Sequence, residues 1–142
     1  MSPREEFVQL IEGWIGWPYV YGGQSPIVGF DCSGVEVGAF WTTGHWSKKI
    51  KDKTAEGIWK YYAQLRVPFP YRGVLVFWQN APGLVRHTEV CVGENDEGEP
   101  ICVGARESYG RVVKTPLSEK RGRLELTGYV DPFLNESFRI VE

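Results

Sequence analysis

Gly29-Phe30-Asp31-Cys32-Ser33-Gly34 is the stretch of this sequence that decides most about its fold and its chemistry. It closes a loop rich in glycine and proline and opens a segment with apolar residues at helical spacing. Asp31 is a residue type that caps the first turn of a helix. We therefore expect a helix that begins at Asp31, ends near Gly44 and carries Cys32 in its first turn.

The predicted position of Cys32 is typical of a reactive thiol. In the first turn of a helix, amide dipoles and unpaired N–H groups lower the pKa of a thiol and favour the nucleophilic thiolate. Ser33 and Gly34 are small, so a substrate can approach the sulfur closely. Cys32 is therefore a candidate nucleophile, with inert packing as the other interpretation.

The two other cysteines have a different setting. Cys91 and Cys102 lie in short apolar runs on either side of a turn at residues 94–98, which predicts two neighbouring strands. Cysteines in such runs are usually buried filler, and a disulfide across the two strands is the alternative. Because the chain has three cysteines, at least one thiol is free.

A thiolate nucleophile needs an imidazole partner, and the chain has two histidines. His45 follows the predicted helix end, where we expect a surface side chain. His87 opens a predicted strand, which can hold it rigidly as a general base. The two histidines lack metal-ligand spacing and no phosphate-binding loop is present, so we expect no metal and no cofactor.

The order of the predicted elements indicates the fold class. Ser2 caps a first helix with Glu5 completing a capping box, and Thr54 caps a third helix that continues to Leu65. Helices followed by an antiparallel sheet define the α+β class, here as a single domain over residues 1–142. Short β-branched and aromatic runs predict the strands, at residues 74–78, 88–92, 101–103, 111–113 and 124–126.

Several motifs, in this order, resemble the NlpC family of cell-wall cysteine peptidases. Pro18-Tyr19-Val20-Tyr21-Gly22-Gly23 is similar to the family's PY-x-x-GG loop, and the Cys32 segment to its (I/F)DCSG helix start. Residues 73–78, 86–93 and 101–105 resemble three successive family strands. The resemblance implies a papain-like domain, with N-terminal helices packed on a central antiparallel sheet.

The resemblance also implies roles for individual residues. It makes Cys32 the catalytic nucleophile and His87 the catalytic base. Tyr19 matches a tyrosine that helps to bind the oxyanion or the substrate, with simple packing as the alternative. Asp31 and Ser33 match positions that flank the free amino end of the substrate, although Asp31 has helix capping as its other interpretation.

The sequence departs from the family at the residue that orients the base. The matching position, often histidine, is Gly104, and a Val-Gly pair of the family is replaced by Thr88-Glu89. Glu89 lies two residues after His87, so on a regular strand both side chains point to one face and can meet. Glu89 is therefore the first candidate to orient His87. Weaker candidates are Cys102, Glu107 and a backbone carbonyl.

The function implied by the resemblance is peptidoglycan hydrolysis. The expected enzyme is a cysteine endopeptidase that cleaves the D-γ-glutamyl–diamino acid bond of a stem peptide through a thioester. The alternatives are a muramoyl–L-alanine amidase or cross-bridge peptidase with the same catalytic pair, and a lipid acyl transferase. A catalytically degenerate structural or binding module of a phage particle is the non-enzymatic alternative.

Composition limits the partners. With 16 basic and 18 acidic side chains, the chain lacks the strong positive charge of a nucleic-acid binder. No run approaches the roughly 20 apolar residues of a membrane span, so we expect no membrane insertion. The first residues do not resemble a signal peptide. We expect synthesis in the cytoplasm and delivery to the wall by another route or in a phage particle, with phage tail or lysis proteins as partners.

Overall fold

A computed structural model describes residues 1–135. Its helices precede most of its strands, and the α+β class predicted from the sequence is confirmed. The helices are α1 (Pro3–Glu12), α2 (Cys32–Thr42) and α3 (Ala55–Tyr61), with 3-10 helices at Ala63–Leu65 and Glu107–Tyr109. None of the helices within this part of the chain has the length and apolarity to cross a membrane.

The strands form one large sheet and one small sheet. The small sheet is the pair β1–β2, and the large sheet has the order β3-β9-β4-β5-β6-β7, with β8 paired to β9. Every pair is antiparallel. The strands are β1 (Gln24–Ser25), β2 (Gly29–Phe30), β3 (Arg66–Val67), β4 (Leu75–Ala81), β5 (Leu84–Glu94), β6 (Pro100–Arg106), β7 (Arg111–Pro116), β8 (Lys120–Arg121) and β9 (Leu124–Val130).

The three helices begin where the sequence predicts. The side chains of Ser2, Asp31 and Thr54 each accept a backbone N–H of the first turn, at 3.2, 2.7 and 3.0 Å. A side-chain cap of this kind stabilises a helix by roughly 1 kcal/mol. The third helix is shorter than predicted, because α3 ends at Tyr61 and a separate 3-10 turn follows.

The start of β5 differs from the prediction. His87 does not open the strand, which begins three residues earlier at Leu84. The turn around Gly83, with φ +78°, is tight enough for Leu84 to pair directly with Ala81. A register shift between Trp78 and Gln79 follows, and a bulge of this kind re-aims the side chains beside it.

The large sheet has two apolar faces. Helices α1 and α2 cover one face with the main core, in which Phe7 and Phe40 stack with ring centroids 4.5 Å apart. A smaller cluster lies on the alternate residues of β4, β5 and β6, and therefore on the opposite face. Its buried members are Val74, Val76, Trp78, Cys91 and Cys102.

Candidate active site

The loop of residues 18–30 brings the first turn of α2 to its place, and its backbone packs directly on that turn. The N–H of Asp31 donates to the carbonyl of Gly23 at 3.0 Å. A Cβ at Gly34 would overlap the same carbonyl oxygen. Glycine is therefore required at position 34 because no side chain fits between the loop and the helix that carries Cys32.

Asp31 and Ser33 lie in the same cleft as Cys32, and they are already engaged in hydrogen bonds. Asp31 accepts the N–H of Gly34 at 2.7 Å and the N–H of Gly22 at 2.9 Å. The hydroxyl of Ser33 donates to Asp31 at 3.4 Å. The capping interpretation of Asp31 is therefore correct, and substrate binding by the two residues stays a prediction.

Cys32 lines an open cleft of about 520 Å³. Tyr19 lies in the same cleft, and so do Val85 and Arg86, the two residues that precede His87. The start of α3 and the loop before it form another part of the wall. A cleft of this size accommodates a short peptide segment, which is typical of a substrate site.

The sulfur of Cys32 lies beside the strand that carries His87. Strand β5 pairs with β6 only from Val90 onward, so the N–H of Thr88 lies beyond the last pair. That N–H hydrogen-bonds the sulfur of Cys32. The structure therefore brings the thiol to the backbone immediately after His87.

The ionisation of Cys32 differs from the prediction. Burial, together with the nearby carboxyl of Glu36, raises the pKa of the Cys32 thiol to about 12. The expectation that the helix start favours the thiolate is therefore wrong, because desolvation of the charged form outweighs the helix dipole. Cys32 is a neutral thiol in the free protein, so a base must remove its proton during any reaction.

Glu36 is a buried acid that the sequence reasoning missed. It lies one turn along α2 from Cys32, is fully buried, and accepts the hydroxyl of Thr88 at 2.8 and 3.1 Å. Burial raises the pKa of Glu36 well above its ordinary value. The signal in the sequence was a single acidic residue within an otherwise apolar and small helix segment.

Tyr19 is a protonated donor in the cleft. Burial, with the adjacent Cys32 and Asp31, raises the pKa of Tyr19 to about 12. Its backbone N–H donates to the carbonyl of Gly110 at 2.9 Å, and this contact anchors the start of the loop to the turn before β7. The hydroxyl therefore keeps its proton at ordinary pH and can donate a hydrogen bond to a bound group.

His87 and Glu89 meet as the strand alternation predicts. Nε2 of His87 lies 2.6 Å from Oε2 of Glu89. Although burial opposes ionisation, hydrogen bonds from His87 and Arg121 lower the pKa of Glu89 to about 2. Glu89 is therefore a carboxylate at ordinary pH and can accept the proton of Nε2, which leaves Nδ1 as the nitrogen available to act as a base.

Gly104 provides the space that Glu89 occupies. A Cβ at Gly104 would overlap Cγ of Glu89. Of the weaker candidates, Cys102 lies opposite Cys91 on the neighbouring strand, and Glu107 begins a 3-10 helix. The absent side chain at position 104 and the acid at position 89 are thus two parts of one packing arrangement.

The remaining cysteines and histidine have packing roles in this structure. Cys91 and Cys102 are buried and reduced, as the filler interpretation predicts. His45 is not a simple surface residue, since its ring lies 5.3 Å from the ring of Phe40 and 4.7 Å from that of Phe133. The turn after α2 folds back on the aromatic core and takes His45 with it.

Comparison with known proteins defines the family. The model of the NlpC/P60 family matches residues 16–120, which include Cys32, His87 and Gly104. The match covers most of the chain. The protein therefore belongs to the NlpC/P60 family. The search of curated protein sequences finds no match.

Solved structures share the fold. NlpC1 from Trichomonas vaginalis has a TM-score of 0.69 at 16% identity and covers 89% of this chain and 43% of its own. The NlpC/p60 domain of the peptidoglycan hydrolase SagA has a TM-score of 0.60 at 23% identity, over 89% and 97% of the two chains. A lipoprotein-like member of the NLP/P60 family from Staphylococcus aureus subsp. aureus Mu50 has a TM-score of 0.63 at 22% identity, over 90% and 40%. The chain thus spans less than half of two of these three structures.

Proposed function

We propose that this protein is a peptidoglycan hydrolase, a cysteine endopeptidase that cleaves the D-γ-glutamyl–diamino acid bond of a stem peptide. The observation that carries the proposal is the position of Cys32, which lies in an open cleft beside the backbone N–H of Thr88. The preceding residue is His87, whose Nε2 is already held by a carboxylate. Membership of the NlpC/P60 family supports it, as does the shared fold with the SagA domain, which is described as a peptidoglycan hydrolase.

In the first step, Nδ1 of His87 accepts the thiol proton while the sulfur of Cys32 attacks the amide carbon. General-base assistance is needed because the pKa of Cys32 is raised to about 12, so little thiolate exists before the substrate binds. The resulting imidazolium keeps its Nε2 proton on Glu89, whose negative charge stabilises it.

The attack creates an oxyanion that needs hydrogen-bond donors. The backbone N–H of Cys32 at the start of α2 is one donor, because the first N–H groups of a helix have no partner within the helix. The protonated hydroxyl of Tyr19 is the second. Loss of one oxyanion donor typically raises the barrier by about 3 kcal/mol.

The second half of the reaction regenerates the thiol. The imidazolium of His87 gives its Nδ1 proton to the leaving amine, the C–N bond breaks, and the acyl group remains on the sulfur as a thioester. His87 then removes a proton from water, which attacks the thioester carbonyl. The acid product leaves, and the proton returns to the sulfur of Cys32.

Carboxylates in the cleft suit the amino end of a peptide. Asp31 lines the cleft together with Asp52 and Glu56. A carboxylate oxygen accepts more than one hydrogen bond, so Asp31 can hold a ligand ammonium while it caps α2. We expect the free amino group of the stem peptide to bind on this side of Cys32.

The test is a digest of purified peptidoglycan with the wild type and with Cys32→Ala, analysed by liquid chromatography and mass spectrometry. We expect fragments cut after D-γ-glutamate with the wild type only. Fragments cut after the lactyl group or within the cross-bridge would instead indicate an amidase or a cross-bridge peptidase. Equal release by the two proteins would contradict catalysis by Cys32.

A degenerate binding module is the second candidate, and the raised pKa of Cys32 is the observation that favours it. Alkylation of Cys32 by iodoacetamide across pH separates the two functions. If His87 acts as the base, His87→Ala slows alkylation at neutral pH several-fold; an inert thiol reacts equally slowly in both proteins. Phage tail or lysis proteins as partners, and the route of delivery to the wall, stay predictions from the sequence.

A further inference from the structure

We propose that Arg121 is a positioning residue of this site, which acts through Glu89 to hold the imidazole of His87 in one orientation and one tautomer. The inference rests on the proposed hydrolase function and adds a residue to its machinery. Arg121 lies on the two-residue strand β8, 32 positions from Glu89 along the chain.

The guanidinium of Arg121 donates two hydrogen bonds to the carboxylate of Glu89. Its Nε donates to Oε2 at 2.9 Å and its Nη2 to Oε1 at 3.0 Å. The same Nη2 donates to the carbonyl of Pro116 at 3.0 Å, which fixes the guanidinium to the end of β7. Because both carboxylate oxygens are held, the plane of Glu89 is fixed, and Oε2 is directed to His87.

The indole of Trp78 supports both groups. The guanidinium carbon of Arg121 lies 4.7 Å from the centre of the Trp78 ring, and the imidazole of His87 lies 5.4 Å from it. Trp78 is itself fixed, since it is fully buried and its Nε1 donates to the carbonyl of Ser118 at 2.9 Å. The three planar groups therefore limit one another's rotation.

Burial explains why an arginine is needed. The side chain of Glu89 is 1% exposed and that of Arg121 is 6% exposed. A buried carboxylate without a permanent positive partner takes up a proton. A protonated Glu89 would carry an O–H donor as well as an acceptor. It would therefore not select the tautomer of His87 in which Nε2 carries the proton and Nδ1 is basic. Arg121 is positively charged at ordinary pH and so keeps Glu89 ionised whatever the charge of His87.

The other titratable groups that face Glu89 do not replace Arg121. Glu36 on α2 and Cys102 on β6 both interact with the charge of Glu89, and each would be neutral or negative. Within residues 1–135, the basic side chains that hydrogen-bond Glu89 are those of His87 on the same strand and Arg121 on β8, and of the two arginine alone carries a permanent charge.

The first experiment compares stem-peptide release by the wild type, Arg121→Gln and Arg121→Lys. We expect Arg121→Gln to lower kcat about 10- to 100-fold with little change in KM, the usual effect of removing an outer-shell partner. The acidic limb of the rate profile should move to higher pH, because the pKa of Glu89 rises. Lysine keeps the charge but cannot make both hydrogen bonds to Glu89. Arg121→Lys should therefore recover part of the rate, and the acidic limb of its pH–rate profile should lie close to that of the wild type.

Arg72→Gln is the matched control, since Arg72 also bridges carboxylates and a strand carbonyl outside this site. It should leave kcat and the acidic limb unchanged. An Arg121→Gln protein that is folded and has the wild-type rate and pH profile would overturn the inference.

A double-mutant cycle separates positioning from general damage. In a Glu89→Gln background, Arg121→Gln should cause no further loss of rate, because the residue through which it acts has gone. A loss of the same factor in both backgrounds would overturn the inference. If Arg121→Gln does not fold, the same cycle is measured with Arg121→Lys alone and with Arg121→Lys combined with Glu89→Gln.

The nitrogen chemical shifts of His87 supply a readout that is independent of catalysis. We expect the Nε2–H tautomer in the wild type at neutral pH and a mixture of tautomers in Arg121→Lys or Arg121→Gln. The second histidine signal is assigned with His45→Gln. Failure of the wild type to cleave any peptidoglycan would refute the proposed function alone, whereas an unchanged tautomer in the Arg121 variants would refute the role of Arg121.

Discussion

Two arginine–carboxylate clusters in this protein use the same chemistry in different surroundings. Arg72 bridges Glu5 and Glu12 of α1 and donates to the carbonyl of Val92, with 32% of its side chain exposed. Arg121 bridges Glu89 and the carbonyl of Pro116, and is 6% exposed. The first cluster joins α1 to the sheet. The second holds the imidazole of His87 through Glu89 and is almost fully excluded from solvent.

Substitution of the acid in the buried cluster should have the largest effect. Glu89→Gln keeps the shape but removes the charge that holds the proton on Nε2 of His87. We expect kcat to fall by about 10²- to 10⁴-fold, as for loss of the orienting acid in other triads. Glu5→Gln in the half-buried Arg72 cluster is the control and should leave kcat unchanged. The measurement is the initial rate of stem-peptide release; equal rates for the two variants would break the comparison.

A methyl group at position 104 tests the space that Glu89 occupies. In Gly104→Ala, the new Cβ overlaps Cγ of Glu89 and pushes the carboxylate away from His87 and Arg121. We expect unfolding in urea to require about 1–3 kcal/mol less free energy, the usual cost of overpacking. The initial rate of stem-peptide release should also fall, because the displaced carboxylate no longer holds His87. Wild-type stability and rate in this variant would show that Glu89 is not confined by Gly104.

Acid should weaken the buried cluster in a defined pH window. The pKa of Glu89 is lowered to about 2, below its value in the unfolded chain, so its stabilising effect is complete above pH 5 and is lost as the pH falls toward 2. The shift corresponds to about 3 kcal/mol at neutral pH. The unfolding free energy of the wild type should therefore fall by more than that of Glu89→Gln between pH 5 and 2. Parallel pH curves for the two proteins would contradict this.

Removal of the half-buried arginine, Arg72, should have the smallest effect. Arg72→Gln breaks bonds that are partly screened by solvent, so we expect a loss of about 1 kcal/mol or less in unfolding free energy. Thermal unfolding and stem-peptide release measure the two quantities. A loss of activity in this variant at a temperature where it is fully folded would show that the two clusters are not functionally distinct.

Short-range patterns predicted much of the fold. The caps Ser2, Asp31 and Thr54 were predicted because a capping residue and the helix it caps are neighbours in sequence. The contact of His87 with Glu89 followed from the alternation of side chains along one strand. In each case, a few adjacent residues contain all the information.

Long-range contacts were not accessible in the same way. Arg121 reaches Glu89 from a strand of two residues, which is too short to give a periodic signal. Glu36 lies one turn from Cys32 on α2, but its burial against β5, and with it the raised pKa of the thiol, depends on long-range packing. The early start of β5 depends on a tight turn at Gly83, where the apolar run is not continuous.

In the proposed reaction, the sulfur of Cys32 attacks the amide carbon while His87, oriented by Glu89, accepts the thiol proton. The most direct test is the initial rate of fragment release from purified peptidoglycan by the wild type, Glu89→Gln and Cys32→Ala, each folded and at equal concentration. We predict measurable release by the wild type, a strongly reduced rate for Glu89→Gln and none for Cys32→Ala. Release by Cys32→Ala at the wild-type rate, or an unchanged rate for Glu89→Gln, would contradict the claim.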